Sequence, residues 1–323
     1  ELQNIDGHDA SDGPRARFQF FLHPPPGAAN RSLQLRDAIV AHEVVTHYIR
    51  VYVRSDWASG FVTGSPRLAG TIHAGRHEVT VDRAGSLWRG LHGLVALGSA
   101  HIATGTDHLL FLFALVLVAP LTAAAGWYCE VSQPRTAWLA LLRVVTAFTL
   151  GHSLTLVLGA TRVIVLPTAW VEPAIAASIF VTALHAIWPL FPRREAWVAS
   201  LFGLVHGLAF ADALADHQLD ATQAAWSLLG FNIGIELAQV AILLLVAPWL
   251  MLLARTRKYA AFRCLSAALM ALLALAWLLE RTLGVANPTA QPLAFLEAHP
   301  LALLITLAAA ALVARFGERH AAR

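Results

Sequence analysis

Residues 101–118 read HIATGTDHLLFLFALVLV. Two histidines and an aspartate lead straight into an unbroken apolar run. Ionisable side chains are rare in such runs, because each costs several kcal/mol to bury without a partner. Followed back to Leu91, the apolar stretch covers 91–118, close to the length that spans hydrocarbon. His101 and His108 are seven residues apart, so a continuous helix would stack them on one face, two turns apart. Asp107 would then point elsewhere, unless Gly105-Thr106 opens the helix. An opened turn brings Asp107 to the histidines, as a ligand or as the acceptor that orients one of them.

The rest of the chain repeats the apolar theme. Of 323 residues 57% are hydrophobic and only 13% charged, against about 25% charged in an ordinary soluble domain. Six further apolar runs follow, roughly at 137–160, 170–191, 197–213, 225–253, 262–284 and 297–314. The expected fold is a mainly α-helical polytopic membrane protein with about seven transmembrane helices. The net charge is +3, and the basic residues are scattered rather than gathered on one face, which excludes a nucleic-acid footprint.

Residues 1–85 differ in character. RARFQFFLH (15–23), HYIRVYVRSDW (47–57) and RHEVTVDRAG (76–85) alternate in the manner of strands, and HPPPGAAN (23–30) reads as a loop. We expect a β-rich extracytoplasmic domain at 1–85 and a seven-helix transmembrane domain at 86–323. Lys and Arg set the orientation. With the β-rich domain outside, inner loops hold Arg135, Arg193, Arg194, Arg255, Arg257, Lys258 and Arg263, and the tail adds Arg315, Arg319 and Arg323. Outer loops hold only Arg162 and Arg281. The expected location is the inner or plasma membrane, with the N-terminal domain extracytoplasmic and the C-terminus cytoplasmic. A cleaved signal peptide before Glu1 fits that orientation. The two cysteines, Cys129 and Cys264, fall in or beside inner loops, where a structural disulfide is not expected.

Polar groups recur inside the apolar runs. TAFTLGHSLTL (146–156) places His152 with Thr146, Thr149 and Ser153. In FGLVHGLAFAD (202–212), Gly203 and Gly207 flank His206 and permit close helix approach. In GFNIGIELAQ (230–239), Asn232, Glu236 and Gln239 share a face. His185, alone in VTALHAIW (181–188), reads as a helix–helix contact, and Glu280-Arg281 as an interfacial pair. His101, Asp107, His108, His152, His206 and Glu236 form the candidate ligand set, with Ser153, Asn232 and Gln239 behind them. Imidazoles and carboxylates without thiols suit a divalent transition metal such as Ni, Co or Zn. If the protein is an enzyme, Asp107 and Glu236 are the candidate bases.

Four of these stretches, HIATGTDHLLFL, FTLGHSLTL, FGLVHGLAFA and LLGFNIGIELAQ, resemble in order those of the HupE/UreJ-type membrane proteins. DAIVAHEVVTHYIRVYVRSDW (37–57) resembles the extracytoplasmic segment of one branch of that family, so that the resemblance spans roughly 35–284. It implies a nickel or cobalt permease in which His101, Asp107 and His108 form the metal-entry motif. His206 and Glu236 match in character only, because hydrogenase-associated members pack the histidines and glutamate of their second motif closer together. Three functions stay open on the residues alone. They are a nickel/cobalt-type permease, a zinc-dependent intramembrane hydrolase acting on a lipid or peptide, and a sensor or assembly factor stapled by its metal. The implied partners are a metal ion and the lipid bilayer, with the β-rich domain as a candidate dock for a periplasmic partner and no nucleic acid.

Overall fold

The computed structural model describes residues 6–10, 13–17, 32–36, 49–53, 56, 67–73, 76–82, 85–124, 126–215, 221–289 and 298–321. The chain divides into two compact units, Glu1–Val53 with Pro66–Gly85, and Arg54–Ser65 with Ser86–Arg323.

The first unit holds β1 (Asp6–Ala10), β2 (Gly13–Arg17), β3 (Ser32–Arg36), β4 (Ile49–Val53), β5 (Arg67–Ile72) and β6 (Glu78–Asp82). They pair as three antiparallel two-stranded ladders, β1–β2, β3–β6 and β4–β5. Along β4 the side chains alternate, with Ile49, Val51 and Val53 turned in and Arg50 and Tyr52 out, as the pleat requires. Ile72, Val79 and Val81 are buried, and Leu33, Ile49 and Val51 pack on them. Two of the three expected strand regions therefore form ladders where anticipated. Most of the third, residues 18–23, and the loop at 23–30 lie outside the described residues.

The second unit is helical. Among the described residues its helices are α1 (Leu87–Thr104), α2 (Thr106–Val118), α3 (Pro134–Ala160), α4 (Thr168–Ile187), α5 (Glu195–Ala215), α6 (Ala221–Leu253), α7 (Tyr259–Leu283) and α8 (Pro300–Ala321). Five of them, α3, α4, α6, α7 and α8, are long and apolar enough to cross a membrane. The first expected span, 91–118, is not one straight helix. It is the pair α1 and α2, bent by 71° at Gly105, and together they pass the same test. The expected fourth span is a shorter apolar helix over Glu195–Ala209. All seven apolar segments are thus helical, and the protein is a multi-pass, mainly α-helical membrane protein. Exposed tryptophans fall into two sets. Trp88 and Trp170 sit at the starts of α1 and α4, while Trp127, Trp188 and Trp197 lie around the α2–α3 and α4–α5 connections, as in the paired aromatic belts of spanning proteins.

Glycines decide which helices touch. On α1 and α6, a Cβ at Gly98 would strike the Phe231 carbonyl and one at Gly234 the Val95 carbonyl. On α3 and α5, Gly151, Gly203 and Gly207 lie against the backbone carbonyls of Ser200, Phe148 and His152. With no hydrophobic drive between helices in lipid, such backbone-to-backbone packing is a main source of their association. The expectation for Gly203 and Gly207 is met.

Two features depart from the sequence reading. A hairpin, β7 (Leu121–Ala124) with β8 (Trp127–Val131), joins α2 to α3. Neighbouring residues on a helix do not face each other, and Glu280 and Arg281 do not pair. Arg281 Nε instead lies 3.6 Å from Glu172 Oε2, tying the end of α7 to the start of α4. Glu280 accepts from Asn287 Nδ2 at 2.9 Å. Cys129 and Cys264 are both free thiols.

Candidate functional site

The break at Gly105 builds the site. Its N–H donates to the His101 carbonyl at 3.0 Å, closing the last turn of α1. A Cβ there would lie 2.7 Å from that carbonyl oxygen and 2.8 Å from His108 Nδ1, so a close approach requires glycine. The bend turns the start of α2 back on the end of α1, and the His101 and His108 ring centroids lie 4.8 Å apart. Asp107 comes with them. Its Oδ1 accepts from the backbone N–H of His108 and from Nδ1 of the same ring, both at 2.9 Å. That bond places the proton on Nδ1 and leaves the Nε2 lone pair of His108 for another partner.

α3 and α5 bring the next two rings. His152 is fully buried, with its ring centroid 6.0 Å from that of His101 and 6.3 Å from that of His108. His206, also buried, lies 5.1 Å from His108 in the same measure. Phe111, Phe148 and Phe231 wall the cluster with apolar surface.

A residue overlooked in the sequence sets the state of His206. The Ser178 hydroxyl on α4 donates to the Ile175 carbonyl at 2.7 Å and lies 3.0 Å from His206 Nε2. With its own proton committed, the serine oxygen accepts from Nε2–H, and Nδ1 of His206 keeps its lone pair. A signal was present. Ser178, Thr182 and His185 recur at helical spacing along the otherwise apolar C-terminal half of α4, but no motif marked them.

The result is two overlapping ligand sets, His101 with His108 and His152, and Asp107 with His108 and His206. Within each set one ligating atom per residue lies within 4.8 Å of the others. His108 Nε2, both ring nitrogens of His152, and His206 Nδ1 are buried with no hydrogen-bond partner. A self-sufficient polar network would pair such atoms, since buried polar groups nearly always are paired. Converging imidazole nitrogens and a carboxylate, with no thiolate, suit a divalent transition-metal cation.

Of the other predicted residues, Glu236 and Gln239 lie along the neighbouring seam between α3 and α6. Glu236 belongs to neither ligand set. Its Oε1 accepts from the Thr146 hydroxyl at 2.6 Å, while Oε2 is buried and unpartnered. Thr149 donates to Gln239 Oε1 at 2.9 Å. Asn232 donates to the Leu228 carbonyl at 2.7 Å and leaves Oδ1 unpartnered. Ser153 makes only a bond back to the Thr149 carbonyl, at 2.6 Å, and so touches no ring of the cluster through its hydroxyl. No Lys or Arg pairs with Asp107 or Glu236 among the described residues.

His185 stands apart from the other four. Its Nδ1 accepts from the Leu190 N–H at 3.0 Å, and Phe191 stacks on its ring at 3.8 Å. Tyr128 of β8 donates to the His185 carbonyl at 2.7 Å, beneath the guanidinium of Arg263 at 4.7 Å. Burial pushes the Tyr128 phenol above its usual range, so it remains a donor. Arg263 in turn donates to the carbonyls of Ala186 and Ile187. His185 is structural, but not as the helix–helix contact expected of it: its partners lie in the α4–α5 connection and on β8, and its capacity is spent there.

The family model described as HupE / UreJ protein matches residues 76–281, from the last strand of the N-terminal unit to the end of α7. No curated protein and no solved structure matches the chain. The match covers more than half of the sequence and takes in the four intramembrane motifs that build this cluster: the protein belongs to the HupE/UreJ family.

Proposed function

We propose that this protein is a permease for a divalent transition-metal cation of the nickel/cobalt class, and that His101, Asp107, His108, His152 and His206 hold the cation in transit. The observation that carries the reading is the set of unpartnered imidazole nitrogens on α2, α3 and α5, buried around one carboxylate in a multi-pass membrane protein. Family membership supports it, because HupE/UreJ proteins are associated with nickel and cobalt transport. The cation is the substrate. Asp107 lowers the cost of holding a dication in hydrocarbon, and Ser178 and Asp107 keep ring lone pairs available to it. Residues 1–85 form an extracytoplasmic domain, residues 86–323 the transmembrane domain, and the C-terminus is cytoplasmic in the inner or plasma membrane. The uneven spread of Lys and Arg supports that orientation.

One observation also favours a zinc-dependent intramembrane hydrolase. Three histidines that each offer a ligand atom within 4.8 Å of the others, with Asp107 bonded to one of them, are the parts that hold Zn²⁺ and a base for its bound water. One experiment separates the two. The full chain is reconstituted in liposomes, and uptake of radioactive nickel or cobalt is measured beside equilibrium metal content. The permease reading expects wild-type uptake that falls in His101→Ala, His108→Ala, His152→Ala and His206→Ala. Bound metal with no wild-type flux would overturn it and leave the hydrolase or a metal-stapled sensor.

A further inference from the structure

We propose that Glu236 is a second station for the cation, and that the seam between α3 and α6 is its way out of the histidine cluster. The inference rests on the permease reading and extends it. Conduction needs polar groups that continue beyond the first site and bind weakly enough to let go. The sequence alone shows ligands bunched around one level of the membrane. The fold adds a second level, through side chains that pair across two helices.

On α3 the polar side chains Thr146, Thr149 and His152 recur at i, i+3 and i+6. On α6 the facing ones are Glu236 and Gln239, with Asn232 one turn before Glu236. Thr149 meets Gln239, and Thr146 meets Glu236, so the line starts at His152 and runs toward the N-terminal half of α3. At 1.5 Å per residue, Thr146 lies about 9 Å along the helix from His152. The first level offers nitrogen donors and one carboxylate, the second only oxygens. Borderline cations prefer imidazole, so affinity steps down along the line, as release requires.

The state of Glu236 argues for a ligand. Its Oε2 is buried and without a partner, as is Asn232 Oδ1 one turn away on the same face. Arg143, one turn from Thr146 along α3, forms no ion pair with it among the described residues. A carboxylate left un-neutralised at this depth is expensive, and a passing dication removes the cost. The structural alternative is a plain interhelical hydrogen bond from Thr146. Glutamine would serve that purpose equally well, since its amide oxygen accepts the same bond.

Glu236→Gln is therefore the test, with cobalt or nickel alone as probe and the full chain in liposomes. We expect equilibrium binding at the histidines within about threefold of wild type and uptake slowed about tenfold or more. Uptake at the wild-type rate would overturn the second station while leaving the permease intact. Loss of binding together with uptake would place Glu236 in the histidine site and overturn the two-level arrangement. A variant that fails to fold also overturns it, because an isosteric acceptor destabilises only if the carboxylate itself is structural. Absence of uptake in the wild type is a different failure, and it falls on the permease reading.

Discussion

Replacing Ser178 by alanine should weaken metal binding without touching a ligand. Ser178 and His206 are both almost fully buried, and the serine oxygen is the acceptor for His206 Nε2–H at 3.0 Å. Without it the imidazole has two choices. It can keep its tautomer and strand a buried N–H, at a cost of about 1–3 kcal/mol. Or it can move the proton to Nδ1 and lose the lone pair that the cation needs. The metal-free ring takes the second choice, so binding has to restore the first, and that cost of about 1–3 kcal/mol corresponds to about 5- to 150-fold in affinity, which brackets the 10–100-fold typical of partners that orient metal ligands. The serine's other bond, to Ile175, is a local one whose loss costs little. The assay is competition for cobalt or nickel against a chelator in detergent, with the thermal midpoint of the metal-free protein as a control. Nitrogen-15 shifts of His206 would report the tautomer directly. Affinity within twofold of wild type, in a folded variant, would refute the orienting role of Ser178.

Other substitutions test other links. Gly105→Ala must displace either the His101 carbonyl or the His108 ring, at 2.7 and 2.8 Å from the new Cβ; metal affinity in the chelator assay should fall while the protein stays in the membrane. Gly207→Ala drives a methyl against the His152 carbonyl and Thr155 Oγ1, so thermal unfolding in detergent should show a loss of about 1–3 kcal/mol. Tyr128→Phe removes the bond to the His185 carbonyl and should cost about 1 kcal/mol of stability, with metal binding unchanged. Cysteines placed singly at Gly60 and Arg257, in a background without Cys129 and Cys264, should react differently with an impermeant reagent in intact cells. Labelling is expected at Gly60; labelling at Arg257 instead would reverse the orientation.

The spans were legible because hydrocarbon imposes a length and a composition that few other demands imitate. The ligands stood out for the opposite reason, as polar groups where polarity is expensive. The opening at Gly105 was legible as a condition: Asp107 could reach the histidines only if the helix broke there. What could not be read was partnership. Nothing in the order of residues says that Ser178 on α4 faces His206 on α5, or that Thr146 on α3 faces Glu236 on α6, because both facts depend on how the helices are arranged. The same gap explains Arg281, whose carboxylate partner is more than a hundred residues away rather than adjacent. The β7–β8 hairpin escaped for another reason: LTAA and WYCEV lack the alternation of apolar and polar residues by which β4 and β6 were read.

The glycine contacts have a mechanical consequence. α1 and α6 meet backbone to backbone, as do α3 and α5, so neither pair can slide without first coming apart. Each pair moves as a single stiff girder. The ligands are divided between them, with His101 on one girder, His152 and His206 on the other, and His108 hung from the joint at Gly105. A bound cation is therefore a strut across two beams, and its grip depends on their spacing. Rocking of one beam against the other, with neither disturbed, alters the distances between ligands on different beams and leaves that between His152 and His206 unchanged.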